Sequence, residues 1–505
     1  MQDATGKVYL VGAGPGDPGL LTLRGAECLR EAGVVLYDYL ASPQVLALAP
    51  PEAELICLGR HGHGRLMSQA EINAAMVDHA RRGRIVVRLK GGDPMIFARA
   101  AEEIAALETA GASYEIVPGV SAAQAASSHA GIPLTGRDQA SCVAFVTGQE
   151  SAEKQDAAPL DYSALARFPG TLVFYMGVTT APEWSRALMD HGKPRETWAA
   201  VVRRCSLPDQ QTIFTTLGEL ADLLECRRLR PPAVVIVGDV ARERDVANWF
   251  THRPLFGRTV LVTRPRHQAE TLSAQLQQLG ANVLYQPAIE IREPFDWGPV
   301  DIVIQRMNDF DWLVFSSSNG AHFFLRRLLA LGKDMRSLGG VRLAAIGPAT
   351  VEALAEYRLK ADFQPATFRA EALAEALALH VRGQRVFLAR ASRGREVLAA
   401  LLTAAGADVV QAVVYESRDI ETPAADVVEA LSAGRIDWIT VTSSAIARSL
   451  VKLFGEALLR TRRVAISPLT AETLAESGYP AAAVAKQFTS AGVVAAILAE
   501  EADKP

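Results

Sequence analysis

Three glycines, Gly14, Gly16 and Gly19, stand at G-x-G-x-x-G spacing directly after the apolar run Val8–Val11. An acidic residue, Asp38, follows about where a ribose-binding aspartate sits in dinucleotide enzymes. The chemistry of the loop argues against a diphosphate. Such a turn offers bare backbone N–H groups at a helix N-terminus, and here Pro15 and Pro18 interrupt it with residues that have none. Asp17 adds a negative charge where phosphate charge would arrive. The loop is stiff, and its carboxylate suits an uncharged or cationic ligand.

Other loops of the first half carry related signals. In "RLKGGDPMIFARAAEE" (88–103), Gly91 and Gly92 let backbone approach a ligand closely. Asp93 is placed to cap the following helix, or to accept hydrogen bonds from a ribose or an amino group. "IVPGVSAAQAASSHAGIPLT" (116–135) is a second strand–Pro–Gly turn, whose Ala and Ser residues allow packing against a flat ligand. "LVFYMG" (172–177) ends a third strand at Met176, a residue that equally well fills a gap in a core. His61 and His63 are spaced like a metal pair but lack a third ligand nearby, and their stretch reads as a mobile glycine-rich loop.

The second half shows no Ser–His–Asp set, Walker loop or metal cluster in residues 257–505. Its polar groups fall at strand ends. Arg264 and Arg390 occupy equivalent places in a repeat, as do Ser316–Ser318 and Thr442–Ser444, each just before a helix. Gly347–Thr350 and Ser467–Thr470 open further helices. Free N–H groups and hydroxyls at helix starts bind carboxylates, so a cleft ringed by them suits a polyanion. Ordinary helix capping accounts for part of this set.

These residues need elements to hold them. The chain has 505 residues, which implies more than one domain. Its 49% hydrophobic and 21% charged content describes a soluble globular protein. The net charge of −4 gives no global attraction to nucleic acid or an anionic membrane. Five scattered cysteines without a C-x-x-C point to a reducing compartment, with no disulfide frame or zinc site. No signal pattern or apolar run of spanning length is visible, which makes the cytoplasm the expected location.

Strands are expected at 8–11, 34–37, 85–89, 114–117, 142–147, 171–176, 199–202 and 234–237. Residues 246–256 read as a linker that docks through two exposed-looking aromatics, Trp249 and Phe250. Beyond it lies an internal repeat. "GRTVLVTRP" (from 257) matches "GQRVFLARA" (from 383), and "DWLVFSSSNGA" (from 311) matches "DWITVTSSAIA" (from 437), both 126 residues apart. "VRLAAIGPATVEALAE" matches "RVAISPLTAETLAE" at a slightly shorter offset. Each copy reads strand–helix–strand–strand–helix–strand–helix, with buried parallel strands. The repeat predicts two similar lobes of about 125 residues with a cleft between them.

Taken together, "VGAGPGDPGLLTLRG", "VVLYDYLAS", "RLKGGDPMIFARAAEE", "VPGVSAAQAASSHAGIPLTGR", "LVFYMG" and "VVIVGDV" resemble, in order and spacing, the uroporphyrinogen-III C-methyltransferase family. The resemblance covers nearly all of residues 7–245. It implies methylation of a tetrapyrrole by S-adenosylmethionine without a metal, a two-lobed α/β fold and a homodimer through this domain. By motif position Pro15, Gly91, Gly92, Asp93, Ile96, Ser121, Ala122, Met176 and Cys205 would hold the methyl donor. Asp38 matches the family's proton acceptor. Arg60 stands where the family commonly has a lysine proton donor; an arginine is a poor donor near neutral pH, so its expected role is to pair with substrate carboxylates. Cys205 and Ser206 replace a usual Gly-Thr.

The second half, through "VLVTRP", "LVFSSSNGAHFF", "AAIGPATVEAL", "VVQAVVYES", "WITVTSSAIARSL" and "AISPLTAETL", resembles uroporphyrinogen-III synthase. This implies closure of hydroxymethylbilane to uroporphyrinogen III with inversion of the last pyrrole. It also implies one lobe built from both ends of the domain and another from its middle. Tyr415 matches a tyrosine proposed to help the hydroxyl leave, and Arg264, Ser317, Ser318, Thr350, Ser443 and Thr470 would line the cleft.

The fold expected is therefore α/β: a two-lobed tetrapyrrole-methylase fold over residues 1–245, a linker at 246–256, and a two-lobed synthase over 257–505. The synthase lobes are doubly wound, with one at about 257–291 plus 420–505 and the other at about 292–419. The expected product is precorrin-2, from two methylations of uroporphyrinogen III; partners are small tetrapyrroles, with no nucleic acid and no membrane. The alternative is a methyltransferase for another precorrin, joined to a non-catalytic tetrapyrrole-binding module.

Overall fold

The opening apolar run becomes a central strand because every second residue meets a different helical layer. In the computed structural model, which describes residues 6–39, 41–59, 66–150, 159–242, 249–393 and 396–502, the chain divides into two units. One is Met1–Arg258 with Gln278–Asn282; the other is Thr259–Gln277 with Val283–Pro505.

The first unit contains two five-stranded sheets. β1 (Lys7–Gly12), β2 (Val34–Tyr37), β3 (Glu54–Cys57), β4 (Val86–Lys90) and β5 (Ser113–Val117) lie in the order β3-β2-β4-β1-β5. All neighbours are parallel. Val8, Leu10, Val34, Leu36 and Val86 pack on one side with Ile72, Met76 and Leu107. Tyr9, Val11, Val35, Val87 and Leu89 pack on the other with Cys28, Leu29 and Val45. This is strand periodicity with both faces covered, and each such aliphatic side chain contributes about 1.5–3 kcal/mol by leaving water.

The second sheet is mixed. β6 (Val143–Thr147), β7 (Thr171–Tyr175), β8 (Trp198–Arg203), β9 (Gln211–Thr216) and β10 (Ala233–Val237) take the order β6-β7-β10-β8-β9. Only the β6/β7 pair is parallel; β10 runs antiparallel to β7 and β8, and β9 to β8. β3 and β9 are edge strands that the sequence reading leaves out. β3 is a short, mostly exposed strand that opens on Glu54, and β9 sets only Ile213 and Phe214 among Gln and Thr. Phe250, read as exposed, is fully buried. Its ring sits 4.6 Å from His129 and 4.0 Å from the Arg253 guanidinium, while Trp249 stays 55% exposed and donates from Nε1 to the Ser128 carbonyl at 2.9 Å.

The second unit also holds two five-stranded sheets. Its strands are β11 (Thr259–Val262), β12 (Asn282–Tyr285), β13 (Ile289–Arg292), β14 (Trp312–Phe315), β15 (Arg342–Ala345), β16 (Arg385–Ala391), β17 (Asp408–Asp419), β18 (Trp438–Val441), β19 (Arg462–Ala465) and β20 (Ala483–Val484). The orders are β12-β11-β18-β19-β20 and β13-β17-β16-β14-β15. A repeat copy is thus not a lobe. Each copy gives its first two strands to one sheet and its remaining three to the other, and the chain crosses just before Ile289 and again after Asp419.

The register preserves the repeat. Val262 pairs with Thr440 in one lobe, and their equivalents Leu388 and Val314 pair in the other. Local devices repeat with it. Asp437 and Asp311 each accept a strand-opening amide, from Thr259 and Arg385, at 2.8 Å. Trp438 and Trp312 each lie under an arginine, Arg462 at 4.1 Å and Arg342 at 4.3 Å. One departure from the parallel expectation is β13, which runs antiparallel to β17.

Candidate active sites

In the first unit, three loops meet beyond the carboxyl ends of β1, β4 and β5. Gly14 and Gly92 form a two-way backbone bridge, with Gly92 N to Gly14 O at 2.7 Å and the reverse at 3.2 Å. Such approach requires bare glycine. A Cβ built on Gly119 would lie 2.3 Å from Gly92 O, and one on Gly12 would lie 2.6 Å from Gly119 Cα. Gly92 is also left-handed, at φ +72°. Asp93 staples the loops: one carboxylate oxygen accepts from Met95 N at 2.8 Å and the other from Gly119 N at 3.0 Å. It does not cap the next helix, which begins only at Ala100. Asp17 is similarly local, accepting from Gly19 N at 2.8 Å.

The second sheet brings its own residues to this ligand surface. The Tyr175 hydroxyl hydrogen-bonds the Ser121 hydroxyl and accepts from Ala123 N at 3.0 Å, fixing the start of the Ala122–Ala130 helix. Burial raises the pKa of this phenol. Phe97 and Phe145 flank the Tyr175 ring at 5.0 and 5.7 Å. Met95, Phe97 and Met176 are 57%, 42% and 48% exposed, so Met176 is surface and not core filling. Cys205 is buried beneath Ala122, with Sγ 3.8 Å from its carbonyl, and burial pushes its thiol up to about 12. Ser206 ties this segment to the opening loop by accepting from Asp17 N at 3.1 Å. Ile96 closes the turn begun at Asp93. Pro15 stands beside Gly16, whose Cβ would strike Leu207 at 2.8 Å.

Backbone strain concentrates here. Phe97, Arg99, Met176, Arg204 and Ser206 all have positive φ, five of the seven non-glycine cases among the described residues. Held outliers of this kind gather at ligand sites.

Asp38 follows directly after β2 with its side chain about one-third exposed, and Arg88 Nη1 lies 2.8 Å from its carboxylate. Gly91 N donates to it at 3.4 Å. Behind Arg88 stands Glu103, fully buried, which takes Arg88 Nε at 3.0 Å and also pairs with buried Lys90. Burial lowers the Lys90 pKa. Two cations and two carboxylates thus balance, with only Asp38 reaching the surface. The sequence reading missed Arg88, Lys90 and Glu103. Its usable signal was two basic residues inside an otherwise apolar buried strand. Arg60, His61 and His63 lie outside the described residues.

In the second unit, Tyr415 lies on β17 opposite Ala391, where a bulge after the Arg390/Val413 pair shifts the register and sets its direction. It is 7% exposed, stacks against Phe323 at 5.8 Å, and places its hydroxyl 3.1 Å from Ser317 Oγ. It also hydrogen-bonds Asn319, and burial raises its pKa. Asn319 Oδ1 accepts from Gln268 Nε2 at 2.6 Å, which joins the two lobes of this unit.

Ser317 and Ser443 are true caps, accepting from Gly320 N at 3.0 Å and Ile446 N at 3.2 Å. Ser318 begins the helix that Ser317 caps. Arg264 is mostly buried yet has only hydroxyl partners, Thr442 at 3.0 Å and Ser490 at 3.3 Å. Among the described residues it has no carboxylate partner, and desolvation lowers its pKa. Its repeat equivalent Arg390 bonds Gln411 and Glu396 instead. Thr350 and Thr470 do not line a cleft surface: each is 2% exposed, packed in the first turn of its helix.

Residues 7–221 match the tetrapyrrole (corrin/porphyrin) methylases, and residues 270–495 match uroporphyrinogen-III synthase HemD. A porphyrin biosynthesis protein HemD of Ruminiclostridium josui is 32% identical over 447 residues, 88% of each chain. A uroporphyrinogen-III C-methyltransferase of Bacillus subtilis is 36% identical over 348 residues, 69% of this chain and 71% of that one. Siroheme synthases match over about half their length. The solved uroporphyrin-III C-methyl transferase of Thermus thermophilus, complexed with S-adenyl homocysteine, is 41% identical and covers 47% of this chain and 99% of its own, with a TM-score of 0.41. Both activities of tetrapyrrole biosynthesis are therefore carried by one polypeptide, and the chain belongs to the tetrapyrrole methylases over residues 7–221 and to the uroporphyrinogen-III synthases over residues 270–495.

Proposed function

We propose that residues 257–505 close hydroxymethylbilane to uroporphyrinogen III and that residues 1–245 methylate that product twice, giving precorrin-2. The observation that carries the methyltransferase reading is the glycine bridge of Gly14 and Gly92 set beside the Asp38 carboxylate. S-adenosylmethionine supplies an electrophilic methyl group on a sulfonium. The residues fit that group: Pro15, Gly91–Asp93, Ile96, Ser121, Ala122 and Met176 include no basic side chain for a phosphate, and exposed Met95 and Phe97 offer apolar surface. Cys205 supports Ala122 from below.

When a pyrrole carbon takes the methyl group from sulfur, S-adenosylhomocysteine leaves, the carbon becomes quaternary and the ring becomes cationic, and Asp38 accepts the proton that the cationic ring must lose. The buried Arg88 holds the carboxylate in place. Arg60 contributes a charge for the substrate's carboxylates.

In the synthase, the mostly buried Arg264 cation, which has only hydroxyl partners among the described residues, binds substrate carboxylate, with Ser317, Ser318 and Ser443 at helix starts. The Tyr415 hydroxyl donates to the departing oxygen. The C–O bond breaks and water leaves, and the lobes orient the chain so that the substituted carbon attacks. We further place the protein in the cytoplasm as a homodimer through the first unit, readings that rest on the family. None of the described helices is long and apolar enough to cross a membrane.

A one-pot reaction of hydroxymethylbilane with S-adenosylmethionine tests the whole reading. The expected product is a dimethylated type III macrocycle. Type I product, or bound but unconverted hydroxymethylbilane, would overturn the synthase assignment; unmethylated type III product would overturn the methyltransferase assignment.

A further inference from the structure

A basic concavity lies away from Asp38 and is used by neither reaction. It has a volume of about 900 Å³ and is lined by Arg203, Gln210, Gln211, Thr212, Ile213 and the Arg227–Arg230 turn. That volume falls within the roughly 300–1,000 Å³ of small-molecule sites. Arg203 closes β8, pairing with Ala233 of β10 and Gln211 of β9. Tyr175 pairs with Val234 of the same β10. The concavity therefore sits at the same end of the second sheet as Tyr175 and Met176, displaced toward the β9 edge.

Its charge is not balanced. Among the described residues, Arg203, Arg227, Arg228 and Arg230 make no ion pair, and no carboxylate lines the space. Arg203 Nε is anchored on the Arg230 carbonyl at 3.1 Å, which draws the strand end and the turn together. Arg228 is left-handed, at φ +48°. Neighbouring Arg204 shows the contrast, since Asp209 neutralises it at 2.6 Å. Guanidinium groups gathered in one concavity repel each other, and a ligand with several carboxylates relieves that repulsion while taking their forked hydrogen bonds.

We infer that the Arg203/Arg227/Arg228/Arg230 concavity is a second binding site for a polycarboxylated tetrapyrrole, outside the methyl-transfer site. The inference rests on the proposed function for the identity of the polycarboxylate. A local basic concavity in a chain of net charge −4 favours a small polyanion over nucleic acid, which needs an extended basic surface. The buried Gln210 on its wall links the site to the donor loop. Its side-chain oxygen accepts from Ser206 N at 2.9 Å, and its amide donates to the His129 carbonyl at 3.0 Å.

The test uses the full chain, the variant R227Q/R228Q/R230Q and the stable octacarboxylate uroporphyrin III, by equilibrium dialysis over a salt series. We expect the variant to lose one class of sites or weaken it about tenfold, with a shallower salt dependence. Adenosylhomocysteine affinity and the unfolding midpoint stay at wild-type values. The charge-preserving R227K/R228K/R230K keeps the wild-type salt dependence and binds between wild type and the glutamine variant, since lysine retains the charge and loses the forked hydrogen bonds. A dicarboxylate porphyrin shows no difference between wild type and variant. Unchanged uroporphyrin isotherms in the glutamine variant overturn the inference. So does a wild type that prefers a single-stranded RNA oligonucleotide, or a variant whose sole change is its oligomeric mass. If the wild type fails to methylate uroporphyrinogen III, the proposed function falls, and the dialysis still decides whether this concavity binds polycarboxylates.

Discussion

Arg88 Nη1 lies 2.8 Å from Asp38 Oδ1, and Glu103 holds the same guanidinium from the protein interior at 3.0 Å. The surface carboxylate is thus the outer end of a buried charge chain. It cannot swing freely, and it faces the loops where the donor methyl is expected.

Asp38→Asn keeps the shape and removes the proton acceptor. Methyl transfer falls by about 10²–10⁴-fold, the usual contribution of a positioned base. Adenosylhomocysteine affinity is unchanged, because the nucleoside loops are intact. Single-turnover methylation and calorimetric titration measure the two quantities separately. A variant that loses both equally assigns Asp38 to binding.

Glu103→Gln removes the carboxylate between two buried cations, Arg88 and Lys90, which are 4% and 2% exposed. Breaking a buried pair from one side costs about 3–5 kcal/mol. Urea unfolding of the first unit should shift by that amount. A shift below 1 kcal/mol, within the roughly 0–1 kcal/mol of surface pairs, would show that water reaches the network.

Gly119→Ala tests the loop junction. The new methyl meets Gly92 O at 2.3 Å, a backbone atom that cannot rotate away. The Gly14–Gly92 bridge must open, and with it the nucleoside surface. Thermal protection by adenosylhomocysteine should disappear while tyrosine-dependent ring closure in the second unit persists. Retained protection would mean that the bridge does not shape the site.

How far the sequence foretold these features depends on how local their causes are. Gly14, Gly92 and Gly119 were legible because strand-end turns need glycine and proline whatever surrounds them. The Arg88–Glu103 pair was not, since a strand residue and a helix residue meet only after the fold forms. β9 escaped notice because an edge strand that sets only Ile213 and Phe214 among Gln and Thr shows no apolar alternation. The repeat was visible as similarity, yet its division between two sheets depends on which strands pair. Phe250 reads as exposed from linker composition, and only its packing against His129 reveals a buried anchor.

Cys205 offers a test by pH. Burial raises its thiol to about 12, so at pH 8 almost none is thiolate, the form that alkylates. In the native protein, iodoacetamide labels exposed Cys57 and Cys226 and spares Cys205. The raised value also means that folding favours the neutral thiol. That contribution is present below the unfolded value of 9.0 and declines as pH rises toward about 12. Peptide mass mapping after labelling at pH 8 reads the outcome, and modified native Cys205 would show an open donor loop.

Tyr415→Phe tests the synthase most directly. The phenol is buried, its raised pKa keeps it protonated, and its hydroxyl faces Ser317 and Asn319. Loss of one donor should slow ring closure by about 10-fold to 10²-fold without abolishing it, because orientation carries most of the acceleration. The type III to type I product ratio should hold, since the lobes still fold the chain. Asn319→Ala should act differently. It removes the Gln268 contact that joins the lobes as well as the support of Tyr415, so the isomer ratio drifts toward type I even where the rate survives. Chromatographic isomer analysis of both variants separates the roles: a folded Tyr415→Phe with no turnover at all would make the phenol the principal catalyst and orientation secondary.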